Sequence, residues 1–343
     1  MILILTFASL FAAAIPMLFF LYIVWTVDLY TRKPLWLIGG AFLWGASGAV
    51  ILAIIGQVIL DPLLSMFITD QDILQQVSIA IGAPLTEEPA KALILFFLMR
   101  SMKFGNICDG FIFGAAAGLG FGMTENAKYF IEGAMGHQGN VDAWMDLVIT
   151  RTLFSAIMHG LATSLMGAAL GLGKFHSSRS RFIIAGVGML LAMGVHALWN
   201  GILVTKSKPG ENFLRLAEIF QVQGGDEPLL YSGFFFIVEL LCVLFVFVCC
   251  TLWEHHRLKK GLTFEAEQGR IDPKHVDYLV SFRKRRGEDW LDSRIPRLEY
   301  IKLTTQLALR GIQSRVLNDR RKEWYLSDYK RLQVEVADIQ SIS

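Results

Sequence analysis

The stretch VSIAIGAPLTEEPAKALILFFLM, residues 77–99, is apolar at both ends and charged in the middle. Its flanks read as a membrane-crossing helix, since about 20 apolar residues span a bilayer core. Glu87, Glu88 and Lys91 interrupt that reading. On insertion scales, a charge near the bilayer centre costs about 2.5–3.5 kcal/mol. A membrane helix that carries three of them must give them partners.

The rest of the chain has the same character. Of 343 residues, 54% are hydrophobic and 18% charged, against about 25% charged in soluble domains. Apolar runs at 2–26, 35–60, 74–99, 107–131, 146–172, 182–205 and 229–253 predict about seven spans. The fold class is therefore an all-α polytopic transmembrane bundle, residues 1–253. The first run has no basic region before it, so it is expected to be a retained helix rather than a cleaved signal. Residues 254–343 form a second regime. They hold 19 of the 32 Lys and Arg and 14 of the 30 Asp and Glu, a net +5, which leaves −3 for the first 253 residues. Apolar and charged residues alternate there at helical spacing, as in RLEYIKLTTQLALRGIQSRVL (297–317), and predict an amphipathic helical tail. Its basicity suits a solvated face or an anionic lipid surface, and no nucleic-acid partner is expected.

Loop charges predict the orientation. Arg32 and Lys33, Arg100 and Lys103, then Lys174, Arg179 and Arg181 mark alternate loops as basic. The connectors DPLLSMFITDQD and EGAMGHQGNVDAW hold no Lys or Arg. The positive-inside rule then places the N-terminus outside and the tail in the cytosol. Residues 206–228 resist this pattern with Lys206, Lys208 and Arg215 on the expected outer side. Within them ENFLRLAEIFQ reads as a short interfacial helix. Gly114, Gly118 and Gly122 line one face of the fourth span and predict a central, closely packed helix. The four cysteines lack zinc or disulfide spacing and read as apolar filling. Asp109, Lys128 and Arg151 near span ends are expected to snorkel, and Glu239 to hydrogen-bond a neighbouring helix.

Other spans add polar residues at comparable depth. The fourth carries Glu125, the fifth His159, and the sixth His196 with Asn200 one turn later. Glu87 and Lys91 are also four apart, in the favourable acid-first order. Pro89 removes a backbone N–H and predicts a kink. Five ionisable groups left unpaired in lipid would cost on the order of 10 kcal/mol, comparable to the stability of a whole domain. They are expected to share one cavity between the midplane and the outer face. Two Glu and two His, namely Glu87, Glu125, His159 and His196, make a ligand set for a zinc-like or other divalent ion with an open water position. Without a metal, the Glu87–Glu88 pair can still activate water, with His196 and Asn200 as oxyanion donors. Either route is hydrolysis of an acyl bond.

In sequence order, EEPAK (87–91), Phe121-x-x-x-Glu125, His159 and His196-x-x-x-Asn200 resemble the PrsW family of intramembrane proteases, in the superfamily of CAAX prenyl endopeptidases. The resemblance covers about residues 80–205. It implies hydrolysis of peptide bonds in or near a bacterial plasma membrane, with single-span proteins such as membrane-bound anti-sigma factors as substrates in stress signalling. It also implies that Glu87 activates water with Glu88 as partner, that Glu125 takes the second motif position, and that His196 and Asn200 take the last. Glu rather than His at position 125 separates the chain from prenyl-protein proteases. Two other classes compete. Buried Glu and His also serve cation or proton transporters, although no inverted repeat is evident. GASG at 45–48 matches a rhomboid-type serine motif, with Ser47 and His196 as the dyad, but that reading leaves three glutamates unexplained.

Overall fold

A computed structural model describes residues 1–28, 30–136, 138–205, 227–287, 294–318 and 320–341. The expected interfacial helix at 211–221 and the Glu239 side chain lie outside the described portion. The described residues form helices and connecting turns. In chain order these are α1 (Ile2–Thr26), α2 (Leu35–Ser65), α3 (71–98), α4 (Ile107–Gly136), α5 (Val141–Gly173), α6 (Ser178–Thr205), α7 (Glu227–Glu267), α8 (Pro273–Val280), α9 (Phe282–Arg286), α10 (Arg297–Val316) and α11 (Arg321–Ser341). Six of them, α1, α2 and α4–α7, contain segments long and apolar enough to cross a membrane. The seventh expected span, α3, is long enough at about 1.5 Å per residue. Its charged centre keeps it below the same apolar threshold.

The fourth span is the axis of the bundle. Most of α4 is buried, whereas α1, α2, α6 and α7 turn rows of Leu, Ile and Phe outward. The glycines make that central position possible. A Cβ on Gly110, Gly114 or Gly118 would overlap backbone carbonyls of Gly167, Thr163 and His159 on α5. The two helices therefore meet backbone to backbone, as small residues allow in lipid. Gly120 approaches the Phe42 carbonyl on α2 in the same way. The Gly118 contact holds the α5 backbone at His159 against α4 about two turns before Glu125.

Three helices contain a π-helical turn, at Gly45–Ala49, Ser78–Gly82 and Arg151–Ser155. Such turns cluster at functional sites because they re-aim side chains and free carbonyls. The second lies in α3 just before Glu87. The helix then runs on through Pro89 as part of Ala83–Leu98. The main departure from α geometry in α3 is thus the π turn, about two to three turns before the proline.

The tail has its own core. Leu258 and Leu262 of α7 pack with Leu279, Tyr300, Leu307, Leu332 and Val336 from α8, α10 and α11. Residue 253, the expected domain limit, falls inside α7, which runs unbroken from the bundle into this core. Hydrogen bonds fasten the tail to bundle loops. Gln313 donates to the Gly105 carbonyl at 2.8 Å and Arg310 to that of Met102 at 2.9 Å.

Candidate active site

Four helices bring their polar residues to one point. On α3, the 3- and 4-residue spacings put Glu87 and Glu88 on the same face as Lys91. The Lys91 Nζ lies 2.8 Å from Glu88 Oε1 and 3.2 Å from Glu87 Oε2. It also donates to His159 Nδ1 on α5 at 2.9 Å. The Phe121 ring of α4 faces the same ammonium at 4.0 Å, a cation–π contact, and packs against His159 with ring centroids 5.4 Å apart. Burying an ammonium is costly unless it is paired and hydrogen-bonded. Here two carboxylates, an imidazole and a ring face share it.

Each histidine is held by its own carboxylate. Glu88 Oε1 accepts from His196 Nδ1 at 2.9 Å, and its other oxygen accepts from the Thr163 hydroxyl at 3.0 Å. Glu125 Oε2 accepts from His159 Nε2 at 2.5 Å. The far oxygen of Glu125 pairs with Arg151 at 3.3 Å. With those protons so placed, the lone pair of His159 Nδ1 is the one that accepts from Lys91, and that of His196 Nε2 is left for the centre of the site. The two rings stand edge to face, 4.9 Å apart. His196 Nε2 is 3.8 Å from Glu87 Oε2. Glu88 and Lys91 are essentially inaccessible, while Glu87 and Glu125 keep 15% and 23% of their side-chain exposure. The site therefore opens along the Glu87–Glu125 side.

Glu87, His159 and His196 each offer one ligand atom, all within 4.8 Å of one another. Two imidazoles and a carboxylate are a zinc-type donor set. Carboxylates on the outer nitrogens are the usual support of metal-binding histidines. The ammonium of Lys91 already sits among these donors as a cation would. The residues present fit a divalent ion.

Of the residues expected from sequence, Glu87, Glu88, Glu125, His159 and His196 meet here. Glu125, expected as a metal ligand, lies outside the group of three, and its Oε2 accepts from His159 Nε2. Asn200 is one turn further along α6, where its Nδ2 donates to the Ile79 carbonyl at 2.9 Å. It braces the π turn of α3 rather than facing the cluster. Ser47 is exposed and donates to the Leu43 carbonyl of its own helix, whereas His196 is bonded to Glu88. Hydroxyl and imidazole thus form no dyad.

Arg151 is expected to snorkel, and so is Asp109; the structure corrects both. Arg151 turns inward to Glu125 and Asn126 and stacks on Tyr129 at 3.6 Å. Asp109 is buried against Lys33 at 2.6 Å. Lys128 does stay exposed. Thr163 is a site residue that the sequence reading misses, although its spacing of four from His159 places it on the same helical face.

The profile described as PrsW family intramembrane metalloprotease matches residues 33–241. Protease PrsW of Clostridioides difficile is 27% identical over 195 residues, 56% of this chain and 77% of that protein. Protease PrsW of Halalkalibacterium halodurans is 26% identical over 117 residues, 34% of this chain and about half of that relative. No solved structure matches. A profile match over more than half the chain, spanning every residue of the Glu–His cluster, makes this protein a member of the PrsW family.

Proposed function

We propose that the chain is an intramembrane endopeptidase that cleaves single-span membrane proteins at bonds in or near the bilayer. The observation that carries this reading is the group of Glu87, His159 and His196, within 4.8 Å of one another on helices α3, α5 and α6. A bound divalent ion supplies Lewis acidity toward a carbonyl and toward water. The other roles belong to side chains. Glu87, the accessible member of the pair, would offer one oxygen to that ion; its other oxygen takes the proton of the attacking water and passes it to the leaving amine. Glu88 already serves Lys91, His196 and Thr163. It remains an anion that orients His196. Glu125 does the same for His159 and is itself steadied by Arg151. Phe121 and the surrounding apolar helices limit the water that reaches the site.

The substrate strand enters unfolded from the Glu87–Glu125 side, since a folded helix hides its scissile carbonyls. The family resemblance favours an anti-sigma-factor-like regulator in a bacterial plasma membrane as the substrate. The N-terminus is placed outside and the tail in the cytosol, as the loop charges favour. The test is cleavage of a labelled single-span peptide by purified protein in micelles, with metal analysis alongside. The expected result is turnover that stops with Glu87→Gln and with chelator. Unchanged turnover in Glu87→Gln, or ion flux through liposomes without cleavage, would count against the proposal.

A further inference from the structure

A cavity lies where the tail meets the bundle loops that follow α1 and α3. Its volume is about 740 Å³, within the range of small-molecule sites. The wall combines both regimes of the chain. Arg32 and Lys103 come from the loops after α1 and α3, Arg285 from α9 and Lys302 from α10. None of the four has a carboxylate partner among the described residues. Instead, three of them lie over aromatic rings, Arg32 on Trp25 at 4.8 Å, Lys103 on Trp36 at 5.2 Å and Arg285 on Tyr30 at 5.1 Å. The one acid in the lining, Asp109, is neutralised by Lys33 at 2.6 Å.

Arg285 gives the clearest sign of a missing partner. It is 9% exposed and donates through Nη2 to the Thr305 hydroxyl at 2.9 Å. Its Nη1 is buried without a hydrogen-bond acceptor. Leaving a charged donor unsatisfied costs more than leaving a neutral one. A planar guanidinium with a spare edge, amid three further cations, is suited to a phosphate oxygen. The surroundings point to where that phosphate comes from. Leu35, Trp36 and Leu298 beside the cavity are 61%, 68% and 77% exposed. Leu35 and Trp36 open the apolar helix α2, so the rim lies at the boundary of the hydrocarbon. Aromatic and basic residues side by side mark that boundary.

We propose that this cavity binds the phosphodiester headgroup of an anionic phospholipid from the leaflet on the tail side. The acyl chains would run along the exposed start of α2. One lipid would then join Arg32 and Lys103 of the bundle to Arg285 and Lys302 of the tail.

The test is native mass spectrometry of the full chain, released from detergent with phosphatidylglycerol or phosphatidylcholine added. Phosphatidylglycerol is expected to remain bound and phosphatidylcholine to be lost. Each removed cation is expected to weaken retention about fivefold, so Lys103→Gln with Lys302→Gln weakens it about 25-fold. Both of these side chains are exposed, so the double variant should fold normally, whereas buried Arg285→Gln serves as a second probe. Equal retention of the two lipids, or a double variant that holds phosphatidylglycerol as well as the parent, overturns the proposal. So does full displacement of the lipid by millimolar inorganic phosphate, which would make free phosphate the ligand.

Discussion

Replacing Lys91 by Met tests whether the centre of the site is a place for a cation. The ammonium is fully buried, with Glu87, Glu88 and His159 at 3.2, 2.8 and 2.9 Å. With neutral histidines, the cluster of Glu87, Glu88, Glu125, Lys91 and Arg151 carries a net −1. Methionine fills a similar volume but takes that balance to −2. Removing one partner from a buried ion pair costs about 3–5 kcal/mol, a large part of the 5–15 kcal/mol that typically holds a domain together. The variant is therefore expected to lose roughly that much stability in chelator. A divalent ion can take the ammonium's place, and at a thousand times its Kd it would return about 4 kcal/mol. The parent chain should gain less, because there the ion must first displace Lys91. The assay is denaturation of purified protein in micelles, followed by circular dichroism, in EDTA and in graded zinc. A variant as stable as the parent in EDTA, or a zinc effect larger in the parent, would refute the charge argument.

Other substitutions separate chemistry from scaffolding. His159→Ala and His196→Ala are expected to lower peptide cleavage at least a hundredfold while the helical content stays unchanged. Gly118→Ala pushes a methyl group against the His159 carbonyl; overpacking of this kind costs about 1–3 kcal/mol, and cleavage should fall with the melting temperature. Asn200→Ala leaves the Ile79 carbonyl without its 2.9 Å donor, with an expected loss of about 1 kcal/mol and a smaller drop in turnover than His196→Ala gives. Lys174 follows α5 and donates to the Ser101 and Phe104 carbonyls; burial pushes its ammonium down to about 7. The unfolded chain, with an ordinary lysine near 10.4, then binds more protons between about pH 7 and 10.4. Stability should rise with pH through that window and be level below it. Denaturation at pH 6.5, 8 and 9.5 should show the rise in the parent and not in Lys174→Met.

The helical bundle was legible because apolar runs of membrane length leave few alternatives. The cluster was legible because each acid or imidazole stands out against a lipid-soluble background. Glu87, Glu88, Glu125, His159 and His196 could be picked from four spans on energetic grounds alone. Their division of labour could not. Spacing puts Glu87 and Glu88 on one helix but does not say which of them faces inward; packing against Thr163 and His196 decides that. Hydropathy treats Arg151 and Asp109 as charges near a span end. Whether such a side chain reaches out to water or in to a partner depends on what the fold brings beside it, here Glu125 on α4 and Lys33 in the loop after α1. Asn200 fits an oxyanion donor by motif position, yet the π turn at Ser78–Gly82 presents a carbonyl that captures it. Periodicity at 3.6 residues carries no sign of such a turn.

The 41-residue helix α7 is about 60 Å of continuous rod at 1.5 Å per residue. Its first half stands among the spans and its second half is built into the hydrophobic centre of the tail. A rod shared in this way transmits tilt as a lever does. Any widening of the bundle that leans α7 by a few degrees must swing the whole tail assembly by several ångströms. Engagement of the tail by a partner would in turn be felt as torque among the membrane helices.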